Sequence, residues 1–515
     1  MKPIDTAKLQ LAHYHCSFFL PLYGLEASGF KPKPDQRHHY GNHPFETCTE
    51  TADAEAWHYF SPALRNILFD RQRASRPIGP APVQEWRLPD EDTVWWILKL
   101  DDPDDARSLS LPIDSVMLYR YFNGIYILNW RIRANTPLEM EQALHFTRMV
   151  RILFPSFSEQ SDEGKIQPQY LIDTSNPEND KYLAQAFTTG SNIAWPETIG
   201  EQISPIVKYL LSCFATDAKQ LADYWRTTTQ FYDDRLFVSA AYGLAQKDIP
   251  TDALRKLYSL AFHVDRHQDG FNNIGGHAYS PAELYPRLDE QTLWLWKEIG
   301  SYFGYSDAAN IYLGSGDFFL NTLAPKHVPH IYDRMLLQAL FYQATLRQFD
   351  QQLTNDTPPL LATTDLETIK RHRDHFVRFT NVYWFHNMTE QMQGKEIFRL
   401  QQQALGLQTH YAIIKDELER TDEFLRIIDT QRADKINRRI TRWGGTFAII
   451  SIWYTILGQL HDYWTDTTTS NLWAWLGHWL DSTGNHDNWL GLILAVVVIP
   501  IVLALFWNLF LHRRS

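Results

Sequence analysis

The sequence predicts an α+β protein in three parts: an N-terminal cytosolic α/β domain (1–330), a long helical stalk (331–442) and a C-terminal transmembrane hairpin (443–515). Three observations predict this fold class. Strand and helix patterns mix in the first part, only helical periodicity follows, and two uncharged apolar runs end the chain, Trp443–Leu460 and Trp489–Leu511. The second run has 23 residues, and a bilayer core requires about 20 in a helix.

Composition limits the possible functions. Of the 515 residues, 44% are hydrophobic and 21% are charged, as is typical of a folded chain. The formal net charge is −12, which argues against nucleic acid as a partner because phosphate binding requires clustered lysine and arginine. With only Cys16, Cys48 and Cys213, the sequence implies no disulfide framework.

Strand patterns characterise the N-terminal domain. Val116–Tyr121 and Ile125–Ile132 are rich in β-branched and aromatic residues and flank Asn123-Gly124. This dipeptide predicts a hairpin with a type I′ turn, whose two central residues both require positive φ. Leu11–Leu20 and Thr93–Leu100 are further predicted strands. Helices are predicted at roughly 137–152, 204–226 and 231–246.

Three successive helices are predicted for the stalk. The first covers Ile331–Leu353 and ends before Pro358 and Pro359, and the second, Leu366–Gln403, begins at a capping-box spacing. The third begins near Leu407 and contains neither proline nor glycine before Gly444. Its apolar residues recur at three- and four-residue steps, as in a coiled coil packed against partner helices. At ~1.5 Å per residue, this helix could extend ~80 Å and continue into the membrane.

Flanking charge predicts the orientation of the hairpin. The spanning helices are placed at 443–461 and 489–511, and the loop between them, 462–488, contains no lysine or arginine. Basic residues precede the first helix and follow the second. The positive-inside rule therefore places both termini in the cytoplasm and the loop outside. We expect a multi-pass protein of the inner (plasma) membrane, in contact with lipid.

One side of the first spanning helix carries small and polar residues. If several copies surround an axis, this side can line a pore, and the carboxylates at its outer mouth would attract cations. The alternative is that small residues only let helices pack closely in lipid. The predicted pore-lining residues are Gly444, Ala448, Ser451, Thr455, Gly458 and Gln459, and the carboxylates are Asp462 and Asp466.

Two further groups of residues suggest metal binding. Asp101, Asp102, Asp104 and Asp105 follow a predicted strand, and hard cations such as Mg²⁺ prefer clustered carboxylates. These aspartates also fit a solvated turn around Pro103. His13 and His15 would share one face of a strand, with Cys16 on the other face, which matches no tight zinc pattern.

The layout resembles the CorA family of magnesium and cobalt channels. In that family, a cytosolic α/β domain leads into a long stalk helix that becomes the pore-lining first transmembrane helix. The resemblance covers mainly 331–515, and Phe385–Phe424 also resembles divergent bacterial CorA-like proteins, with Gln391, Gln393, Gly394, Phe398, Tyr411 and Glu417 among helical apolar residues.

The resemblance implies a homopentamer that conducts divalent cations. In the family, a Gly-Met-Asn signature at the outer end of the first membrane helix holds hydrated magnesium. This sequence reads Leu457-Gly458-Gln459-Leu460 there, so only Gly458 could correspond. The resemblance therefore does not imply magnesium selectivity, because the motif that confers it is missing.

Two functions follow as expectations. The first is a CorA-like oligomeric channel for divalent, magnesium-like cations, gated through the cytosolic domain, with no resident cofactor and with Mg²⁺ as a transported or regulatory ion. The second is a membrane-anchored, signal-responsive effector or receptor on a CorA-like scaffold. No nucleophile motif or nucleotide-binding loop occurs, so we expect no enzymatic activity.

Overall fold

The computed structural model divides the chain into two compact units, Met1–Lys415 and Asp416–Ser515. The predicted second spanning helix lies outside the described residues except for Val502. The described residues are 9–38, 52–69, 83–101, 108–154, 169–176, 181–186, 203–228, 235–247, 249–264, 281–293, 296, 300–363, 366–465 and 502.

A sheet organises the first unit. Thirteen strands belong to it in the described part of the chain: β1 (Gln10–Leu22), β2 (Arg37–His38), β3 (Gln84–Arg87), β4 (Trp96–Leu100), β5 (Leu109–Arg120), β6 (Tyr126–Arg133), β7 (Leu138–Glu139), β8 (Gln169–Asp173), β9 (Lys181–Ala186), β10 (Phe237–Leu244), β11 (Thr292–Leu293), β12 (Tyr302–Tyr305) and β13 (Ala309–Ser315). The main path is β11-β12-β13-β10-β1-β6-β5-β4-β8-β9. Strands β10 and β13 pair in parallel, and the other pairings along this path are antiparallel.

Helices cover both faces of this sheet. Two π-helical segments, Phe319–Tyr332 and Phe379–Tyr383, lie next to α-helices. The α-helices of the described residues are α1 (Ala52–Tyr59), α2 (Pro62–Leu68), α3 (Asp90–Thr93), α4 (Met140–Val150), α5 (Pro205–Ser212), α6 (Ala218–Thr227), α7 (Thr251–Phe262), α8 (Pro281–Glu290), α9 (Asp333–Thr363), α10 (Leu366–Arg378), α11 (Met392–Ala404) and α12 (Leu407–Thr465).

The two faces of the sheet differ in polarity. On β1, Tyr14, Cys16 and Phe18 point into the main hydrophobic core, which includes residues of α4, α5 and α7. Because side chains alternate along a strand, His13, His15 and Ser17 point to the opposite face. The segment Phe319–Tyr332 and the start of α9 cover this second face, and polar groups are buried there.

Glycine residues allow the segment Phe319–Tyr332 to pack closely against the sheet. A Cβ added at Gly243 would lie 2.5 Å from the side chain of Leu320, and one at Gly314 would overlap the ring of Phe319. Any larger residue at these two positions would therefore push the segment Phe319–Tyr332 away from the sheet.

The predicted hairpin is confirmed, although its turn differs. Strands β5 and β6 pair from Ile113 to Arg120. The amide of Gly124 donates to the carbonyl of Tyr121 at 3.1 Å, and the amide of Tyr121 donates to the carbonyl of Ile125 at 2.9 Å. The loop thus has three residues and ends at Gly124, whose φ is 77°. Such a loop requires positive φ only at its last residue, so glycine is needed at one position.

Two predicted helices in this domain are wrong in detail. Within the predicted helix 231–246, Phe237–Leu244 form strand β10, in which all eight residues are buried, and 231–234 lie outside the described residues. A short strand buried on both faces shows no alternation and cannot be distinguished from a helix by its periodicity. The pattern at 204–226 is two helices, α5 and α6, separated where the chain turns after Ser212.

The stalk helices also differ from prediction. Helix α9 continues through Pro358 and Pro359 to Thr363, since proline can bend a helix without ending it. The predicted helix Leu366–Gln403 is divided into α10 and α11. The π-helical segment closes with the amide of Trp384 donating to the carbonyl of Phe379 at 3.0 Å, and the Trp384 ring then enters an aromatic cluster.

Helix α12 is continuous over 59 residues, from Leu407 to Thr465. It includes the end of the predicted stalk and the whole first predicted spanning segment. Among the residues that the structure describes, no helix combines the length and the apolar character needed to cross a membrane.

Candidate functional site

A cavity of about 240 Å³ lies between the second face of the sheet and the start of α9. Strands β3, β5 and β6 form its floor, and 329–337 forms its roof. Four arginines and two aspartates line it, with an apolar wall that includes Phe19, Met117, Tyr119 and Leu337. The charged lining residues are Arg87, Asp114, Arg131, Arg133, Asp333 and Arg334.

A β-bulge turns Asp114 towards this cavity. The pairing of β5 with β6 shifts between Ile113, opposite Ile132, and Ser115, opposite Arg131. Asp114 is the additional residue, and both Asp114 and Ser115 line the cavity. Bulges commonly redirect a side chain beside a functional site.

The guanidinium of Arg131 lies at the centre of the charged cluster. Its Nη1 is 3.6 Å from a carboxylate oxygen of Asp114, and its Nη2 is 3.6 Å from one of Asp333. It also donates to the hydroxyl of Ser17 and to the carbonyl of Pro329, each at 3.1 Å. Both carboxylates are beyond the usual 2.7–2.9 Å of a charge-assisted hydrogen bond. Arg131 is therefore positioned mainly by its neutral partners.

Asp333, the first residue of α9, is buried against the sheet. Its carboxylate accepts hydrogen bonds from the hydroxyls of Ser17 and Ser239. Burial raises the pKa of Asp333, and Arg131 and the two serines oppose this effect. Three elements of the fold thus meet at one carboxylate, which fixes the start of α9 over β1 and β10.

The next residue, Arg334, forms a buried ion pair with Glu85 of β3. The closest distance is 2.7 Å, and the second guanidinium nitrogen is 3.4 Å from the other carboxylate oxygen. Arg334 also lies over the ring of Phe69, 4.7 Å from its centroid. Burial lowers the pKa of Arg334 to about 9, which leaves it charged at neutral pH.

The two histidines of β1 contact each other. His13 Nε2 and His15 Nδ1 are 3.0 Å apart. Burial is the largest cause that lowers the pKa of His13 to about 4, and burial also lowers the pKa of His15. Cys16 lies on the other face, as expected. In the described part of the chain, no group of three or more His, Cys, Asp or Glu side chains could hold a metal ion.

Stacked aromatic rings connect α9 to the start of α12 within the first unit. The backbone carbonyl of Leu337, a cavity residue, accepts a hydrogen bond from Tyr121 at 3.4 Å. Further along α9, the ring of Tyr342 stacks on Trp384 at 4.7 Å, and Trp384 stacks on Tyr411 at 4.8 Å. Tyr411 belongs to α12, whose Ile414 is fully buried.

Several residues quoted for the family resemblance have packing roles in this region. Gln393 donates to the hydroxyl of Tyr332, and the Phe398 ring lies 6.3 Å from that of Tyr342. Gly394 lies directly against Tyr59.

The predicted pore-lining residues lie on α12. Gly444, Ala448, Ser451, Thr455 and Gln459 are all exposed in the single chain, and the hydroxyl of Thr455 donates to the carbonyl of Ser451 at 2.9 Å. Gly458 and Asp462 belong to the same helix, and Asp466 lies outside the described residues. Large apolar residues of α12 are equally exposed, so exposure alone does not distinguish a pore-lining side.

Of the four aspartates for which the sequence suggested metal binding, only one is described. Asp101 forms an ion pair with Lys99 at 2.8 Å, and both side chains are about one-third exposed. Asp102, Asp104 and Asp105 lie outside the described residues.

Sequence reasoning did not single out the cavity arginines. A signal is present in β6, where Arg131 and Arg133 alternate with Trp130 and Ile132. The same alternation places His13 and Ser17 on one side of β1. Charged residues at every second position of an otherwise apolar central strand indicate a buried polar face.

Compared with protein-family models, curated proteins and solved structures, the chain matches none of them.

Proposed function

We propose that this chain is a homo-oligomeric, CorA-like membrane channel for divalent cations, controlled by its first unit through α12. The observation that carries the proposal is the continuity of α12 from Leu407 to Thr465. One helix contains residues packed in the first unit, such as Ile414, and the small and polar positions from Gly444 to Gln459. A displacement at its beginning therefore has a direct mechanical route to the predicted pore.

The exposed apolar residues of α12 support oligomerisation. Five of them follow one another at steps of four, three, four and seven residues, which match the a and d positions of a coiled coil. Each is more than half exposed in the single chain. Copies of the same helix would bury this stripe, which crosses the boundary predicted at residue 442. The stripe consists of Ile436, Ile440, Trp443, Phe447 and Tyr454.

The oligomeric state of the purified protein tests whether copies of α12 associate through this stripe. Ile440→Lys should shift purified protein towards smaller assemblies, because it places a charge in the stripe. Ile413→Lys is the matched control, since Ile413 is a similarly exposed isoleucine on α12 outside the stripe. Native mass spectrometry of the detergent-solubilised protein gives the subunit count. A monomeric wild type would contradict the proposed channel.

Ion flux tests conduction directly. Protein reconstituted in liposomes should pass Mg²⁺ or Co²⁺, and Asp462→Asn should lower this flux by up to about tenfold at low ionic strength, where electrostatic attraction is strongest. Asp434→Asn on the same helix is the control and should leave flux unchanged. Absence of flux for every divalent cation tried would refute the channel.

The second candidate is a membrane-anchored effector that responds to a signal. The charged cavity of the first unit favours it, as does the absence of Gly-Met-Asn at 457–460. Expression in cells that lack magnesium uptake separates the candidates. A channel should restore growth, whereas an effector should leave growth deficient and become toxic only with its trigger.

A further inference from the structure

We propose that the cavity beneath the start of α9 binds a small phosphate monoester and that this binding regulates α12. The binding is a property of the first unit alone. Its effect on conduction rests on the proposed function above.

The charge of the cavity favours an anion. Four arginines line it against two aspartates, and the nearby Glu85 forms an ion pair with Arg334. Arg87 pairs with Asp90 at 2.7 Å, but the Asp90 side chain is 68% exposed, so water screens this pair. Arg133 pairs with Asp114 at 3.2 Å, and Arg131 lies 3.6 Å from both Asp114 and Asp333. With these two carboxylates counted against Arg87, Arg131 and Arg133, one positive charge remains in excess.

Two of these guanidinium groups have an N–H donor that no described residue accepts. The Nε atoms of Arg87 and Arg133 are buried from solvent and have no hydrogen-bond partner among the described residues. Yet the two side chains are about 40% exposed as a whole, so each lies at the boundary between cavity and solvent. Arginine presents its donors as a planar fork that matches phosphate oxygens.

Size and shape define the rest of the ligand. The volume of about 240 Å³ is below the roughly 300–1,000 Å³ of pockets for drug-sized molecules. Phe19, Met117 and Tyr119 add apolar surface to the charged lining. A compact body with one phosphate group fits both parts, and a phosphate carries more charge than a carboxylate at neutral pH.

The cavity is physically connected to α12. Its roof contains Asp333 and Leu337 of α9. The same helix carries Tyr342, which stacks on Trp384, and Trp384 stacks on Tyr411 of α12. A ligand in the cavity would shift the first turns of α9. The packed rings would transmit this displacement to the beginning of α12.

Binding is tested on the full-length protein by isothermal titration calorimetry with inorganic phosphate, phenyl phosphate and AMP, and with adenosine as the uncharged comparison. We expect phenyl phosphate or AMP to bind and adenosine not to bind. The double variant Arg87→Gln/Arg133→Gln should weaken binding at least about tenfold, since each arginine contributes charge-assisted hydrogen bonds.

Arg120→Gln is the matched control. Arg120 lies on β5, is 38% exposed and pairs with one carboxylate, that of Glu26, but it does not line the cavity. This variant should bind like wild type. The proposal is overturned if no phosphate compound binds, or if the double variant binds as tightly as the control while circular dichroism shows both folded.

Regulation is tested separately with Trp384→Leu. This variant should retain phosphate binding within about twofold, because Trp384 does not line the cavity. In liposomes, the bound phosphate compound should change the flux of wild type but not of this variant. If the compound binds and the wild-type flux does not change, the proposed regulation is wrong. If no flux is measured at all, the proposed channel is wrong and the binding site is not affected.

Discussion

Glu85→Gln is expected to lower the free energy of unfolding of the first unit by about 3 kcal/mol, since it removes the carboxylate partner of a buried arginine. Glu85 is fully buried, and Arg334 opposite it is 8% exposed. Glutamine keeps the shape of the side chain but removes its charge. Arg334 is charged in the wild type, where its pKa is about 9, and in the variant this charge would lie beside a neutral amide.

The magnitude follows from the geometry of the pair. Removing one partner of a buried ion pair costs about 3–5 kcal/mol. Only the 2.7 Å contact has ideal length, the other being 3.4 Å, and the glutamine oxygen can still accept one hydrogen bond. The contact of Arg334 with the Phe69 ring also persists. Arg334 also donates to the carbonyl of Leu68 at 3.5 Å. These residual interactions place Glu85→Gln at the lower end of the range and Glu85→Leu at the upper end.

Guanidinium denaturation followed by tryptophan fluorescence measures this cost. The double variant Glu85→Leu/Arg334→Met should be much closer to wild type than Glu85→Leu, because it removes both charges. Asp223→Asn, which breaks the exposed pair with Arg226, is the control and should cost less than about 1 kcal/mol. A cost below about 1 kcal/mol for Glu85→Gln, with an unchanged denaturant slope, would refute the reasoning.

Two further predictions concern packing and pH. Gly394→Ala should destabilise the first unit by about 1–3 kcal/mol in the same assay, because a Cβ would lie 2.5 Å from the hydroxyl of Tyr59 and closer still to Thr389; a neutral result would show that α11 can shift. Because burial lowers the pKa of His13 from 6.5 to about 4, its contribution to stability is complete above pH 6.5 and is lost as pH falls towards 4. Thermal unfolding of His13→Asn should depend less on pH across this interval than wild type, and an identical pH profile would contradict the assignment.

Sequence patterns predicted strands where the two faces of the sheet differ. The hairpin of β5 and β6 combines β-branched residues with a glycine turn, and β1 has the apolar and aromatic residues typical of a strand. By contrast, β10 is buried on both faces and lacks alternation. Its identity depends on pairing with β1 and β13, which are distant in the sequence.

The candidate site was much less predictable. Its residues come from β3, β5, β6 and the start of α9, and their meeting depends on strand order and on the bulge at Asp114. No local motif encodes such long-range pairing. Similarly, the division of the predicted helix Leu366–Gln403 depends on Trp384, whose ring is stabilised by tertiary contacts with Tyr342 and Tyr411.

The polar face of the sheet is the strongest indication of where function lies. An apolar face would cost less free energy to bury. Buried charges lose their hydration, and only well-placed partners offset this loss. Here the loss is only partly offset, because the carboxylate contacts of Arg131 are 3.6 Å long and Nε of Arg133 has no hydrogen-bond partner among the described residues. Sequences usually depart from such rules at functional sites. The arginine donors that remain at this face are therefore the groups that the proposed phosphate ligand would satisfy, Nε of Arg133 first among them.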